Sequence, residues 1–126
     1  MHQFDLKNKT AVITGGAQGF GLDIAKKFLL SGSKVFIWDI DEKELSKSTK
    51  EINNSNLNYS VVDVSNFDQV QKTVSEITSK NNIDILVNNA GITGPTAELW
   101  NYNIKDWNSI IEINLHGTFY CCKSIV

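Results

Sequence analysis

The sequence predicts an α/β fold built on a doubly wound parallel sheet of about four strands. Short apolar runs alternate with amphipathic stretches along the 126 residues, and this alternation is typical of parallel strands joined by helices. A glycine-rich or polar turn follows each apolar run, at the edge where such sheets bind ligands. We expect a single domain, residues 1–126, that forms a little more than half of a complete doubly wound sheet.

Each element is predicted from its local pattern. The expected strands are Thr10–Thr14, Lys34–Trp38, Tyr59–Val62 and Ile83–Val87. Helices are expected between them because apolar residues recur there at helical spacing. The first helix runs from Gln18 to Leu30, the second follows a cap at Asp41, the third follows a cap at Ser65 or Asn66, and the last runs from Ile104 to the end.

Composition excludes several classes of protein. A net charge of −2 gives no basic surface for nucleic acid or an anionic membrane. No apolar run approaches the roughly 20 residues that span a bilayer, and the N-terminus does not resemble a signal peptide. Cys121 and Cys122 are adjacent, which suits neither a disulfide nor a zinc site. His2 and His116 lack metal-ligand spacing. We therefore expect a cytoplasmic protein with no metal, nucleic-acid or membrane partner.

A glycine-rich turn separates the first predicted strand from the first helix. Its sequence is Thr14-Gly15-Gly16-Ala17-Gln18-Gly19-Phe20-Gly21. Glycines allow a sharp turn and a close approach of the backbone to a ligand. The helix that follows offers free N–H groups and a partial positive charge to an anion. Because a strand precedes the turn and a helix follows it, we expect the turn to cradle a dinucleotide pyrophosphate.

The spacing Thr14-Gly15-x-x-x-Gly19-x-Gly21 resembles that of the short-chain dehydrogenase/reductase family, and the resemblance runs from Leu6 to Val126. It implies a Rossmann-like fold and hydride transfer with a nicotinamide dinucleotide. The cofactor contacts that it implies are Gly15, Gln18, Gly19, Phe20, Gly21, Asp39, Ile40, Asp63, Val64, Asn89, Ala90 and Gly91.

An acidic residue, Asp39, ends the second predicted strand. A carboxylate there can accept hydrogen bonds from both hydroxyls of the adenosine ribose and would repel a 2′-phosphate. No basic residue stands at Gly16 or Ala17, where family members that use NADP often carry one. We expect NAD rather than NADP as the cofactor. The alternative is that Asp39 is a simple loop acid or helix cap.

Two more turns follow the third and fourth strands. By resemblance, Asp63 contacts the adenine amine and Val64 supplies a backbone contact. On chemistry alone, Asp63 could equally cap the helix that begins near Asn66. The sequence Asn88-Asn89-Ala90-Gly91 allows close approach to the ribose beside the nicotinamide, and its amide side chains can tie neighbouring strands together.

The last helix carries a polar residue, Asn114, on an apolar stripe formed with Trp107, Ile110, Gly117 and Cys121. A buried amide needs hydrogen-bond partners, so a specific role is expected. By resemblance, Asn114 belongs to a catalytic tetrad and holds the active-site Lys through a water. The alternative is a satisfied core amide that kinks the helix.

A second apolar stripe on the same helix is formed by Leu115, Phe119, Cys122 and Val126. A helix that is apolar on two faces is expected to be buried on both sides. In the resembling family, such a helix packs between subunits, which implies a homo-oligomer as one possible assembly.

The family's chemistry also needs a Ser and a Tyr-x-x-x-Lys on later elements. Four residues after Tyr59, Tyr102 and Tyr120 stand Asp63, Asp106 and Ser124, so no tyrosine matches. We expect a truncated or split NAD-dependent oxidoreductase that is inactive alone and pairs with a complementary C-terminal half. A non-catalytic nucleotide-binding module and a decayed gene fragment are the alternatives.

Overall fold

Four parallel strands form one sheet in the computed structural model, which describes residues 4–126. The strands are β1 (Thr10–Thr14), β2 (Lys34–Asp39), β3 (Leu57–Val61) and β4 (Ile85–Val87). Their order is β3-β2-β1-β4, so the chain winds outward from β1 in one direction and then crosses back to add β4. The predicted doubly wound sheet is confirmed, and its direction switches between β1 and β4.

Five α-helices are found in the described part of the chain. They are α1 (Gly19–Leu30), α2 (Glu42–Ile52), α3 (Phe67–Thr78), α4 (Ile104–Ile111) and α5 (Gly117–Ile125). A 3₁₀ turn (Leu99–Asn101) precedes α4, and a π-helical segment (Glu112–His116) joins α4 to α5. The predicted last helix therefore exists, but it contains a π segment that the sequence did not predict.

The second strand ends one residue later than predicted, at Asp39, and the third ends one residue earlier, at Val61. Two strand starts also differ from the prediction. The third strand begins at Leu57 rather than Tyr59, because Leu57 is buried and pairs with Val35. The fourth strand begins at Ile85 rather than Ile83. Just before it, the Asp84 carboxylate accepts from the Thr10 amide at 2.9 Å. A side chain thus replaces the backbone carbonyl that regular pairing would use.

The core lies on both faces of the sheet, because alternate residues of each strand point to opposite sides. Val12, Trp38 and Cys121 belong to the cluster beneath α3 and α5, whereas Ile13 and Leu45 belong to the cluster beneath α1 and α2. Burial, with a smaller contribution from Cys122, raises the pKa of the Cys121 thiol to about 12. Cys121 is therefore an unreactive core residue at neutral pH.

The second apolar stripe of the last helix is largely exposed, which corrects the prediction that both faces are buried. Leu115 is 60% exposed and Phe119 is 59% exposed. The helix packs through Gly117 and Cys121 against Val64 and the α3 side of the core, and no described residue covers the other face. None of the described helices is long and apolar enough to cross a membrane.

Candidate functional site

An open cleft of about 1110 Å³ lies at the carboxyl edge of the sheet. It is bounded by the glycine-rich turn, the ends of β2 and β3, the turn after β4 and the last helix. The predicted site residues that line it are Gly15, Gln18, Asp39, Ile40, Asp63, Val64, Asn89, Ala90 and Gly91. Gly19, Phe20 and Gly21 form the first turn of α1, and the Phe20 side chain points largely into solvent. Further lining residues were not predicted from the sequence, among them Ser65, Ile92, Ser109, Glu112 and Ile113.

The glycines of the turn are needed for different structural reasons. Gly15 and Gly19 adopt left-handed backbone conformations, with φ of +64° and +61°, which favour glycine. A Cβ on Gly21 would collide with the Gly15 carbonyl, so Gly21 permits close packing of α1 against the turn. A Cβ on Gly19 would meet no protein atom within 4 Å. The space above Gly19 is thus open to a ligand.

The N-terminus of α1 suits an anion. Asp41, Asn66 and Asn103 cap α2, α3 and α4 with side-chain hydrogen bonds, and each of these helices has an acidic residue in its first turn. Helix α1 has neither a side-chain cap at Gln18 nor an acidic residue in its first turn. Its first N–H groups and its positive dipole end therefore remain available, as a pyrophosphate requires. On this observation, the residues present fit a dinucleotide.

Side chains from two strands fix the floor of the cleft. The Thr14 hydroxyl at the end of β1 accepts from the amides of Asn89 and Ala90 at 3.1 and 3.0 Å. The Asn89 side chain donates in return to the Gly15 carbonyl at 3.0 Å. The predicted tie between neighbouring strands is therefore present. Thr14 was not predicted to have this role. The signal that could have indicated it is a hydroxyl side chain at the end of the central strand.

The Asp39 carboxylate is held by the backbone at the edge of the cleft. One oxygen accepts from the Ala17 amide at 3.2 Å, and the other accepts from the Asp41 amide at 3.2 Å. The cap of α2 is Asp41, so the alternative that Asp39 caps this helix is wrong. A carboxylate oxygen has lone pairs beyond one backbone hydrogen bond, so Asp39 can also accept from ligand hydroxyls.

Asp63 does not cap α3 either, because Asn66 does so through a 3.1 Å bond from the Gln69 amide. One carboxylate oxygen of Asp63 accepts from the amide and the hydroxyl of Ser65, at 2.9 and 2.6 Å. These bonds fix the direction of the carboxylate at the cleft. The other oxygen makes no comparable contact among the described residues, and it can accept from a ligand amine.

Asn114 lies in the π-helical segment, and π turns often occur at functional sites. Its amide side chain makes a pair of hydrogen bonds with the backbone of Ile92: Ile92 N donates to Oδ1 and Nδ2 donates to the Ile92 carbonyl, both at 2.8 Å. The expectation of a buried amide is wrong, because the residue is exposed. Its partners lie in the loop after β4, which leaves Asn114 outside the apolar core.

Comparisons with known proteins show the family to which this chain belongs. The family model described as "short chain dehydrogenase" matches residues 9–126. The chain belongs to the short-chain dehydrogenase family. This is a family of oxidoreductases that use nicotinamide dinucleotides.

Similar curated proteins include a 3-oxoacyl-(acyl-carrier-protein) reductase of Chlamydia trachomatis, 36% identical over 96% of this chain and 50% of the relative. A 2-dehydro-3-deoxy-L-rhamnonate dehydrogenase (NAD(+)) of Sphingomonas is 32% identical over 94% of this chain and 47% of the relative. The chain thus spans about half the length of the curated relatives it matches.

Solved structures show the same fold. A short-chain dehydrogenase from Bacillus anthracis superposes with a TM-score of 0.89 at 35% identity, over 95% of this chain and 51% of that one. A gluconate 5-dehydrogenase from Burkholderia cenocepacia, in complex with NADP and tartrate, gives 0.87 at 30% identity, over 98% and 49%. The Rossmann-like architecture is therefore confirmed.

Proposed function

We propose that this chain is the dinucleotide-binding half of an oxidoreductase and that it prefers NAD to NADP. The observation that carries the proposal is the Asp39 carboxylate, which two backbone amides hold at the edge of the cleft. A 2′-phosphate placed there would face a negative charge with no compensating hydrogen bond. The only cation among the cleft-lining residues is Lys43, an exposed residue in the first turn of α2.

The lining of the cleft offers residues that would hold each part of the cofactor. Gly19 and the N-terminus of α1 would hold the pyrophosphate, and Asp39 would bond the adenosine ribose. Asp63 and Val64 would contact the adenine, and the small residues Asn89–Gly91 would lie beside the nicotinamide ribose. When bound, the nicotinamide would supply the hydride acceptor or donor.

Catalysis requires more than these residues. The Ser and the Tyr-x-x-x-Lys that the family uses for proton transfer have no match in the 126 residues, and removing one member of a cooperating set costs orders of magnitude in rate. We therefore propose that this half has no dehydrogenase activity alone. Among the described residues, the Asn114 side chain bonds only to the backbone of Ile92.

A complementary half has two surfaces available. No strand among residues 4–126 pairs with the outer edge of β4, and such an edge is a template for a further strand. The exposed Leu115 and Phe119 stripe on the last helix suits a C-terminal half or a second copy of the chain. The setting we propose is the cytoplasm, where the nicotinamide dinucleotides are available.

Binding titrations of the purified chain with NAD and NADP test the cofactor proposal. The unmodified chain should bind NAD at least about tenfold more tightly, which corresponds to about 1.4 kcal/mol. Asp39→Ala should narrow the gap and Asp39→Arg should reverse it, because the charge that faces the 2′ position is removed or inverted. Lys43→Ala is the matched control and should leave the preference for NAD in place. Equal affinities in the unmodified chain, or a preference for NADP that depends on Lys43, would overturn the proposal.

A further inference from the structure

Ser48 on α2 makes a buried contact with the glycine-rich turn that the cofactor site does not account for. Its hydroxyl donates to the Ala17 carbonyl at 2.7 Å, and the relative exposures of Ser48 and Ala17 are 5% and 1%. A serine inside a helix usually turns its hydroxyl to solvent or to its own helix. Here the hydroxyl leaves the helix and bonds a loop 31 positions earlier in the chain.

The same loop residue also holds the Asp39 carboxylate. The Ala17 N–H donates to one Asp39 oxygen at 3.2 Å, while the Ala17 carbonyl accepts from Ser48. The N–H and the C=O of Ala17 lie in the two planar peptide units that flank its Cα atom, and its φ and ψ angles set the angle between these units. Because each unit is held by a hydrogen bond, the direction of the N–H is restricted. The Ser48 hydroxyl therefore restrains the donor that orients Asp39.

A second set of hydrogen bonds connects Asp39 back to α2. The Asp41 amide donates to the other Asp39 oxygen, and the Asp41 side chain caps α2, the helix that carries Ser48. Helix α2, the glycine-rich turn and the carboxylate are thus joined in a ring of hydrogen bonds. The Ser48–Ala17 bond is buried and the Ala17–Asp39 bond is part-buried, whereas the two bonds of Asp41 are exposed. The Ser48 bond is thus the part of the ring that is best shielded from competing water.

We propose that Ser48 is a positioning residue that sets the cofactor preference by fixing Ala17 and, through it, the Asp39 carboxylate. The inference rests on the proposed binding of NAD at this cleft. It assigns the selectivity to a buried side chain on α2 as well as to the carboxylate itself.

The test compares Ser48→Ala with Ser33→Ala, a matched control. Ser33 is also buried, and its hydroxyl donates to the carbonyls of Lys9 and Lys34 at 2.9 and 3.1 Å, but it lies at the opposite edge of the sheet. Both variants remove a buried serine hydroxyl that bonds the backbone, so both should lose comparable stability in urea. Only Ser48→Ala should change cofactor selectivity.

In titrations, Ser48→Ala should weaken NAD binding about threefold to tenfold and weaken NADP binding less, because NADP gains nothing from a well-placed Asp39. The affinity ratio should therefore fall. Without any ligand, hydrogen exchange of the Ala17 amide should be faster in Ser48→Ala than in Ser33→Ala.

Each unfavourable outcome has a distinct meaning. An unmodified chain that binds neither dinucleotide contradicts the proposed function, and the selectivity role of Ser48 fails with it. An unmodified chain that prefers NAD, with an unchanged ratio in Ser48→Ala, leaves the proposed function standing and overturns the role of Ser48. Equal losses of NAD and NADP affinity would show that the bond merely stabilises the turn.

Discussion

Gly19 combines a left-handed backbone with open space above its Cα atom. Its φ is +61°, and an added Cβ would meet no protein atom within 4 Å. The protein itself does not fill this space, so the backbone of Gly19 stays accessible to the pyrophosphate of the proposed cofactor. Gly21 differs, because the protein's own Gly15 carbonyl occupies the space that its side chain would need.

Gly19→Val should abolish measurable NAD binding while the helical circular dichroism stays largely intact, because the side chain occupies the space above the turn. Gly32→Val is the control. Gly32 also has a positive φ, +92°, but it follows α1 at the opposite edge of the sheet. Both variants should lose about 1–2 kcal/mol of unfolding free energy from backbone strain. Unchanged NAD affinity in Gly19→Val would show that the glycine serves only the turn.

The last helix is the element in which sequence and structure differ most. Its N-cap, Asn103, and its start at Ile104 are local features, and the start was predicted. The π segment was not predictable from spacing, because it accompanies a pairing of Asn114 with Ile92, 22 positions away. Three features were predictable because local glycine and apolar patterns determine them. They are strand β1, the first turn of α1 and the start of β2.

Long-range contacts also explain the remaining differences in the site. The start of β4 depends on the Asp84 side chain meeting Thr10, 74 positions earlier in the chain. Ser109 and Glu112 line the cleft because of the position that the last helix takes beside the sheet. Residue type and spacing carried no information about that position.

Asn114→Ala should loosen the loop that follows β4. The variant removes both hydrogen bonds to Ile92, so exchange of the Ile92 amide should be about fivefold to tenfold faster. Thr118→Ala, which removes a hydroxyl bond to the Asn114 carbonyl in the same helix, should leave this exchange rate unchanged. An unaltered rate in Asn114→Ala, or an equal increase in Thr118→Ala, would show that the amide pair does not hold the loop.

For the molecule as a whole, the exposed stripe on the last helix has consequences in solution. Leu115 and Phe119 expose apolar area that a monomer in water would usually bury. We expect the chain to self-associate in sedimentation experiments. Phe119→Ser should weaken association about tenfold, whereas Leu30→Ser, on a residue of α1 that is more exposed than Phe119, should not. A chain that stays monomeric at high concentration would contradict this expectation.

The most direct test of the dinucleotide site is a map of backbone amide signals during titration with NAD. We expect shifted signals or slowed hydrogen exchange for the amides of Gly15–Gly21, Asp39 and Asn89–Gly91, all at the carboxyl edge of the sheet. The amides of Ser33 and Asp84, at the opposite edge, should not change. Saturable binding that perturbs the opposite edge, or no perturbation of Gly15–Gly21 at millimolar NAD, would contradict the account.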